Sequence, residues 1–315
     1  MREIGGYLCL DKCNKPLKHE GAIALNSGRN CLAYLIEKKH IKKIYLPKFL
    51  CASVGDVCRR LEVVVEYYST GKDFTPIIPD LLDGWLYIVN YYGQLNNDRL
   101  RGYKEKYPYL IVDNIQAYYQ EPCDGIDTIY TCRKFFGVTD GAFLYSDVEL
   151  GDSLEIDFSS DRIEHIVGSF ERGASAYYSG YVASEEEFEN MPVRKMSLLT
   201  DNLLRAIDYD TVEKKRTDNF TYLYRKLEKM NRLDLTIPTG PYMYPFYIEN
   251  GAEIRKRLQQ KKIFIPTLWP DVFNLCSEDE LEYDMAKNIL PIPVDQRYGI
   301  EDMEYIVEEV LKCID

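Results

Sequence analysis

The stretch YLIVDNIQAYYQEPCDGIDTIYTCRKFFGVTDGAFLYS, residues 109–146, contains three short apolar runs separated by polar or glycine-containing turns. Runs 109–114, 126–132 and 141–146 have the length and the β-branched and aromatic content of strands. Their near-continuous apolar character is typical of strands covered on both faces, as in parallel sheets. The stretch therefore predicts the central part of an α/β fold.

The chain before this stretch continues the alternation of strands and helices. Residues 27–39, SGRNCLAYLIEKK, predict a helix, because Ser27 suits the N-cap position and apolar residues recur on one face. Helical stretches also follow Pro47 and Leu95, between further strand candidates at 41–46, 61–68 and 85–92. We therefore predict a large domain with a mostly parallel sheet of the seven-stranded type, covered by helices.

The second half of the chain has a different pattern. Residues 148–192 are rich in acidic residues, Ser, Gly and Tyr, and predict a long functional or interfacial loop with one short helix. Two helices are predicted between Val193 and Met230. The tail has strand candidates at 244–249 and 263–268, a helix at 252–261, an apolar segment at 290–294 and an amphipathic helix at 299–313. These elements divide the chain into a large α/β domain, 1–192, and a small C-terminal α+β domain, 193–315.

The composition limits the classes of partner. Lys and Arg number 39 against 51 Asp and Glu, which gives a net charge of -12. A nucleic-acid or anionic-membrane partner would require a basic face, so we expect neither. The N-terminus MREIGGYLCLDKCNKP lacks the apolar core of a signal peptide, and no run approaches the length of a membrane span.

The cysteine and histidine content indicates the available chemistry. The nine cysteines include no CxxC pair, which suggests reduced thiols and a cytoplasmic protein, and we expect no metal site. None of the three histidines is part of a motif with Ser, Cys or a carboxylate. Lys, Asp, Tyr and Cys therefore remain as the chemical repertoire.

Three segments at predicted strand ends carry candidate site residues. The turn that opens the helix at 27–39 contains Gly28, Arg29 and Asn30, and its backbone N–H groups and helix dipole suit a phosphate. Asp113 ends one strand, with Gln116 three residues later. Lys134 follows another strand, three residues after Thr131. Each has a simpler explanation, since the turn can be a plain cap, the aspartate a turn cap and the lysine a solvated strand end.

Together these residues match the requirements of one cofactor, pyridoxal 5'-phosphate. This cofactor requires a lysine for its aldehyde, a carboxylate for its pyridine nitrogen and a cradle for its phosphate. Lys134 would bind the aldehyde and move the substrate proton, and Asp113 would keep the ring nitrogen protonated. Thr131 would donate its hydroxyl to the phosphate.

At these residues the chain resembles the fold-type I pyridoxal-phosphate enzymes, and among them the DegT/DnrJ/EryC1/StrS group of sugar aminotransferases. That group has a phosphate-binding turn similar to SGRNCL, residues 27–32, and an Asp-x-x-Gln motif similar to Asp113–Gln116. Its lysine follows a Ser or Thr and precedes a small-residue pair, here Gly141-Ala142. The segment LPKFLCASVGDV, 46–57, and the tail are also similar, so the resemblance covers nearly the whole chain.

The resemblance implies an aminotransferase that moves an amino group from glutamate to a nucleotide-linked keto-sugar in cell-surface polysaccharide or lipopolysaccharide biosynthesis. It implies a homodimer with shared active sites, a ring-supporting Gln116 and a ring-stacking residue, which we assign to Phe49. Lys134 and Asp113 would be catalytic, and Gly28, Arg29, Asn30 and Thr131 would hold the phosphate.

The chain also departs from the group's pattern. The spacing from Thr131 to Lys134 is shorter, and Cys51 aligns best with the usual aromatic stacking position. The Asn and Arg that reach the partner subunit in the group fall at Val193 and Lys195. Two alternatives therefore remain, namely a dehydratase or lyase with the same cofactor and a non-catalytic binding or regulatory protein on the same fold.

Overall fold

The computed structural model describes residues 4–80, 82–151, 153–189 and 191–314. One sheet has eight strands in the order β1-β8-β7-β6-β5-β2-β3-β4: β1 (Ile23–Leu25), β2 (Lys43–Pro47), β3 (Val64–Thr70), β4 (Pro76–Ile77), β5 (Trp85–Val89), β6 (Leu110–Asp113), β7 (Asp127–Thr131) and β8 (Ala142–Tyr145). The five central strands are parallel, whereas β8 and β4 are antiparallel to their neighbours. The predicted mostly parallel sheet is confirmed, and the two-residue β4 extends it beyond seven strands.

Three helices connect the parallel part of the sheet: α1 (Gly28–Lys38), α2 (Ala52–Arg60) and α3 (Asn97–Lys106). The helix predicted at 27–39 is confirmed with its cap, because the Ser27 hydroxyl accepts a hydrogen bond from the Asn30 backbone N–H at 3.2 Å. A Cβ on Gly28 would lie 3.0 Å from the Ile115 side chain. Glycine at this position therefore lets the start of α1 approach the sheet closely.

The segment between β8 and the C-terminal helices is more ordered than the predicted loop. It contains two helices, α4 (Glu164–Arg172) and α5 (Tyr178–Glu189), so the prediction of one short helix was wrong. The acidic run in α5 consists of good helix formers, and Phe188 anchors it between the guanidinium groups of Arg133 and Arg162. Residues 152 and 190 of the predicted loop lie outside the described residues.

The C-terminal part adds a second, antiparallel sheet of β9 (Met243–Tyr247) and β10 (Ile289–Pro293). Its helices are α6 (Leu198–Leu204), α7 (Tyr209–Leu227), α8 (Gly251–Gln260), α9 (Val272–Leu275), α10 (Leu281–Asn288) and α11 (Ile300–Ile314). The strand predicted at 263–268 is absent from the described residues, since Ile263 and Ile265 are buried without a pairing strand and Pro266 has no N–H to donate.

One large cluster of buried side chains connects the two sheets. It extends from Leu32 in α1 to Phe220 in α7 and Val310 in α11. The domain boundary between residues 192 and 193 therefore stays a prediction. The outer ends of the two predicted domains, residues 1–3 and 315, lie outside the described residues. No helix in the described part of the chain is long and apolar enough to cross a membrane.

Candidate active site

The carboxyl ends of β6 and β7 meet the N-terminus of α1. Asp113, the last residue of β6, is paired with Ile129 of β7, and Lys134 follows the end of β7 by three residues. A Cβ at Gly28 would lie 3.0 Å from the Ile115 side chain and 3.7 Å from that of Ile129, so the start of α1 packs closely on this edge of the sheet. Parallel neighbouring strands end at one edge of a sheet, so residues distant in sequence converge there.

Asp113 is a buried carboxylate, 4 % exposed, with two hydrogen-bond donors. The Tyr87 hydroxyl donates to Oδ2 at 2.8 Å, and the Ile115 backbone N–H donates to Oδ1 at 2.8 Å. Burial raises the pKa of Asp113, while the positive charge of Lys134 and both hydrogen bonds oppose this increase. Because the buried carboxylate has little water around it, a positively charged group beside Asp113 would be stabilised by its negative charge.

Lys134 lies in a tight turn in which Phe135 and Phe136 both donate backbone hydrogen bonds to the Cys132 carbonyl. Burial lowers the pKa of the Lys134 ammonium, and the Asp113 carboxylate opposes this effect most strongly. The Lys134 surface is nevertheless accessible to solvent. Protein groups around the ammonium replace part of its hydration, so this amine loses its proton more readily than that of a fully solvated lysine.

Four further groups surround the Lys134 ammonium. Cys51 and Glu185 raise its pKa through their charges, whereas Arg29 lowers it. The aromatic ring of Tyr242 has its centroid 5.6 Å from Nζ. Residues of α1, of the cap of α2, of α5 and of the segment before β9 therefore act on the Lys134 amine.

Two buried donors in this region lack acceptors among the described residues. Gln116, 2 % exposed, accepts from the Tyr92 backbone N–H at 2.8 Å through Oε1, but its Nε2 has no partner. Nη1 of Arg29 is also buried without a partner. A buried donor without an acceptor costs about 1–3 kcal/mol, so both groups fit a bound molecule that carries acceptor oxygens.

The first turn of α1 supplies additional donors. Among the described residues, the backbone N–H groups of Gly28 and Arg29 make no hydrogen bond. Together with the Arg29 guanidinium they form a positively charged end of the helix. Thr131 lies at the end of β7, buried, next to the Lys134 turn.

Asn30 and Phe49 have other surroundings than the sequence predicts. The Asn30 amide donates to Asn26 Oδ1 at 2.8 Å and to the Pro192 carbonyl at 2.9 Å, so it has no free donor for a phosphate. Phe49 is 1 % exposed and packs against Trp269, with 4.6 Å between ring centroids. These contacts support neither the phosphate role of Asn30 nor the stacking role of Phe49, and Cys51 is the residue of that segment near Lys134.

Sequence reasoning missed several residues of the site. Tyr87 is an ordinary aromatic residue in a strand pattern, and Glu185 belongs to a segment predicted to be a loop. Glu185 accepts a hydrogen bond from Arg133, whose guanidinium lies 4.1 Å from the Phe188 ring centroid. No local motif marks these residues, because Tyr87 reaches Asp113 through the register of β5 against β6 and Glu185 reaches the site through the packing of α5.

A second group of potential ligands lies elsewhere. Atoms of Cys276, Glu280 and Glu282 lie within 4.8 Å of one another. Glu280 is ion-paired with Lys48, and Glu282 accepts from the Thr70 backbone N–H at 2.8 Å. These carboxylates already have partners within the protein, so the cluster does not need a metal ion.

The sheet order, the helices on the sheet and the small C-terminal sheet define the fold of the sugar aminotransferases of the DegT/DnrJ/EryC1/StrS type. A DegT DnrJ EryC1 StrS aminotransferase from Brucella abortus superposes with a TM-score of 0.64 at 13% identity, over 93% of this chain and 86% of that one. NtdA from Bacillus subtilis, with bound cofactor PMP, gives 0.65 at 12% identity, over 93% and 73%. DesI, in the presence of its TDP-sugar product, gives 0.62 at 12% identity, over 93% and 80%.

Neither the protein-family models nor the curated proteins contain a match to this sequence. The likeness in structure confirms the fold expected from the sequence. At 12–13% identity it concerns the fold alone. The chemistry of this chain therefore depends on the residues of its own site.

Proposed function

We propose that the protein is a pyridoxal-phosphate-dependent aminotransferase that acts on a sugar. The observation that carries the proposal is the convergence of Lys134, Asp113 and the unpaired donors of Gln116 and Arg29 at one edge of the sheet. These groups match an aldehyde, a ring nitrogen, a ring oxygen and a phosphate, respectively. The neighbour NtdA, solved with PMP, supports the same cofactor.

The residues that would hold the cofactor have separate tasks. Lys134 would bind the aldehyde carbon, and Asp113 would keep a proton on the ring nitrogen. Gln116 Nε2 would donate to the ring oxygen. The phosphate would be held by the backbone N–H groups of Gly28 and Arg29, the Arg29 guanidinium and the Thr131 hydroxyl.

When bound, the cofactor supplies an electron sink for the bonds at the substrate's amine-bearing carbon. Lys134 Nζ would be the group that accepts and returns the proton of that carbon. Burial lowers the pKa of Lys134 and so favours the neutral amine that a proton acceptor must be. The hydrogen bonds from Tyr87 and from the Ile115 backbone N–H hold the Asp113 carboxylate in place.

The proposed substrates are an amino-acid donor, glutamate, and a nucleotide-linked keto-sugar of cell-surface polysaccharide or lipopolysaccharide biosynthesis. The family resemblance and the neighbour DesI, with its TDP-sugar product, support this substrate class. All nine cysteines are free, which agrees with the proposed cytoplasmic location.

We further propose a homodimer with shared active sites. Several large apolar side chains of the α4–α5 region and of its flanks are exposed, among them Phe170 at 93 %, Phe158 and Tyr178. Patches of this kind mark interaction sites in soluble proteins, and this one adjoins the helix that carries Glu185. Sedimentation equilibrium should give twice the chain mass, and a monomer with full cofactor occupancy would contradict shared sites.

The central experiment compares Lys134→Ala with Lys229→Ala, an exposed lysine on the far part of the chain. Wild type and Lys229→Ala should gain visible absorbance when pyridoxal phosphate is added. After reduction with borohydride, mass spectrometry should find the cofactor attached to the peptide that contains Lys134. Lys134→Ala should do neither. Equal behaviour of the two variants would contradict the proposal.

Addition of glutamate then separates the candidate reactions. An aminotransferase converts the bound cofactor to its amine form and releases 2-oxoglutarate, whereas a dehydratase or lyase does not. A protein that takes up no cofactor would favour the non-catalytic alternative, for which the small Cys51 at the stacking position is the supporting feature.

A further inference from the structure

Arg216 of α7 is a fully buried arginine, 1 % exposed, that lies directly behind the Lys134 turn. Its guanidinium makes four hydrogen bonds, all to neutral acceptors. They are to the Phe135 carbonyl at 3.2 Å, the Pro241 carbonyl at 3.0 Å, the Tyr242 carbonyl at 3.3 Å and Gln296 Oε1 at 2.8 Å.

Gln296 provides a second donor to the same peptide group. Its Nε2 donates to the Phe135 carbonyl at 2.7 Å, so that this oxygen accepts from both Gln296 and Arg216. The guanidinium also lies 4.6 Å from the centroid of the Phe135 ring. The residue that follows Lys134 is therefore held through its carbonyl and through its side chain.

Arg216 also connects Lys134 with Tyr242. The guanidinium holds the Tyr242 carbonyl, and the ring of the same residue packs near the Lys134 ammonium. One side chain from the C-terminal part of the protein thus holds both the carbonyl of the residue after the lysine and the segment that carries the nearby Tyr242 ring.

This arrangement is costly for an arginine. Burial lowers the pKa of Arg216 to about 10, and the carboxylate nearest in charge, Asp295, is engaged by the Arg297 guanidinium at 2.7 Å. An apolar residue could fill the same volume, but the Pro241 and Tyr242 carbonyls and Gln296 Oε1 would lose their bonds to Arg216, and the Phe135 carbonyl would keep only its bond to Gln296. Arg216 therefore contributes directed hydrogen bonds rather than a compensated charge.

We propose that Arg216, together with Gln296, is a positioning residue that fixes Lys134 for proton transfer by clamping the Phe135 carbonyl and the Tyr242 segment. The part that concerns proton transfer rests on the proposed function. The clamp itself is a property of the protein without cofactor. Loosening it should let the ammonium move toward water and bind its proton more tightly.

The test measures the reactivity of Lys134 in the protein without cofactor. Trace acetylation at a series of pH values, followed by mass spectrometry of the Lys134 peptide, reports the fraction of neutral amine. Asp113, Cys51, Glu185 and Arg29 face this amine and remain unchanged in all variants.

Two variants loosen the clamp. Gln296→Met removes one hydrogen-bond donor, and Arg216→Lys removes the planar guanidinium while keeping the positive charge. We expect both to slow acetylation at neutral pH by about threefold or more, because the neutral fraction falls tenfold per unit of pKa.

Asn231→Leu is the matched control. Asn231 donates to the Pro245 carbonyl at 2.9 Å and is half-buried in the same part of the chain, but it contacts neither Phe135 nor Tyr242. It should lower the melting temperature and leave the acetylation profile unchanged. If Gln296→Met and Arg216→Lys also lower only the melting temperature, the residues are merely structural and the proposal is wrong.

These experiments test the positioning role of Arg216 and Gln296 separately from the proposed aminotransferase function. If Arg216→Lys does not fold, the half-buried Gln296→Met still decides the outcome. If wild type binds no pyridoxal phosphate, the proposed function fails while the acetylation profiles still test the clamp. In a loaded enzyme, both variants should lower kcat more than they raise the KM for the amino donor.

Discussion

Replacement of Tyr87 by Phe removes a single hydroxyl from the candidate site. That hydroxyl donates to Asp113 Oδ2 at 2.8 Å, and both residues are buried. Phenylalanine keeps the ring and its packing in β5, so the substitution isolates one hydrogen bond. It should affect the charged form of Asp113 more than the neutral form.

The expected loss in the free energy of unfolding depends on the kind of hydrogen bond that is removed. A hydrogen bond to a buried charged group contributes about 1.5–3 kcal/mol, against about 0.5–1.5 kcal/mol for a bond to a neutral acceptor. Tyr68 provides the neutral comparison, because its hydroxyl donates to the Tyr87 backbone carbonyl at 2.7 Å and it is also buried. Tyr87→Phe should therefore lower the free energy of unfolding at pH 7.5 more than Tyr68→Phe does.

The stability lost in Tyr87→Phe should depend on pH. Burial raises the folded-state pKa of Asp113 above its unfolded value, so its contribution to stability is present at low pH and is lost as pH rises through the folded pKa. Removal of the Tyr87 hydroxyl raises this pKa further and increases the loss at neutral pH. The difference between wild type and Tyr87→Phe should consequently shrink as the pH falls, whereas that of Tyr68→Phe should stay constant.

Urea unfolding of the protein without cofactor, at pH 7.5 and at several lower pH values, measures both differences. Circular dichroism confirms that each variant is folded before the titration. The reasoning is refuted if Tyr87→Phe costs no more than Tyr68→Phe, or if its cost does not depend on pH.

Two other predictions concern a bound phosphate and a buried histidine. Arg29→Met should weaken pyridoxal phosphate binding about tenfold, the equivalent of about 1.4 kcal/mol, and should leave the binding of phosphate-free pyridoxal unchanged in a fluorescence titration. Equal weakening for both compounds would exclude the phosphate contact. Burial lowers the pKa of His19 to about 4, so its stabilising effect is present above the unfolded value of 6.5 and is lost as pH falls toward 4. The loss amounts to about 3 kcal/mol, and His19→Gln should remove this part of the pH dependence from urea unfolding curves. An unchanged pH slope in that variant would contradict the assignment.

Prediction from sequence was most accurate where the signal is local. The helix at Gly28–Lys38 and its Ser27 cap were predicted because cap chemistry and the apolar repeat lie within one short segment. The buried strands of the parallel sheet were predicted for the same reason. Prediction from sequence failed for α4 and α5, because the acidic composition of this segment was interpreted as a loop, whereas α5 is a helix that packs through Phe188.

The candidate site divides in the same way. Asp113 and Lys134 were predicted because each follows an apolar strand, and parallel strands bring their ends together. Asn30 and Phe49 were assigned by position within a motif, whereas their actual hydrogen bonds and packing depend on Pro192 and Trp269, far away in sequence. Tyr87 has no sequence signal, because hydrogen bonding to Asp113 requires the register of β5 against β6.

The sequence by itself determined the buried strands of the parallel sheet, the capped helix α1 and the residue types available for chemistry, because propensity, periodicity and caps act over a few residues. Only the tertiary structure decided which donors remain free, as for Gln116 and Arg29, and which residues hold the lysine, as for Arg216. Burial and hydrogen bonding join groups that are distant along the chain. The environment that sets the pKa of Lys134 therefore exists only after the sheet, α1 and α5 have packed together.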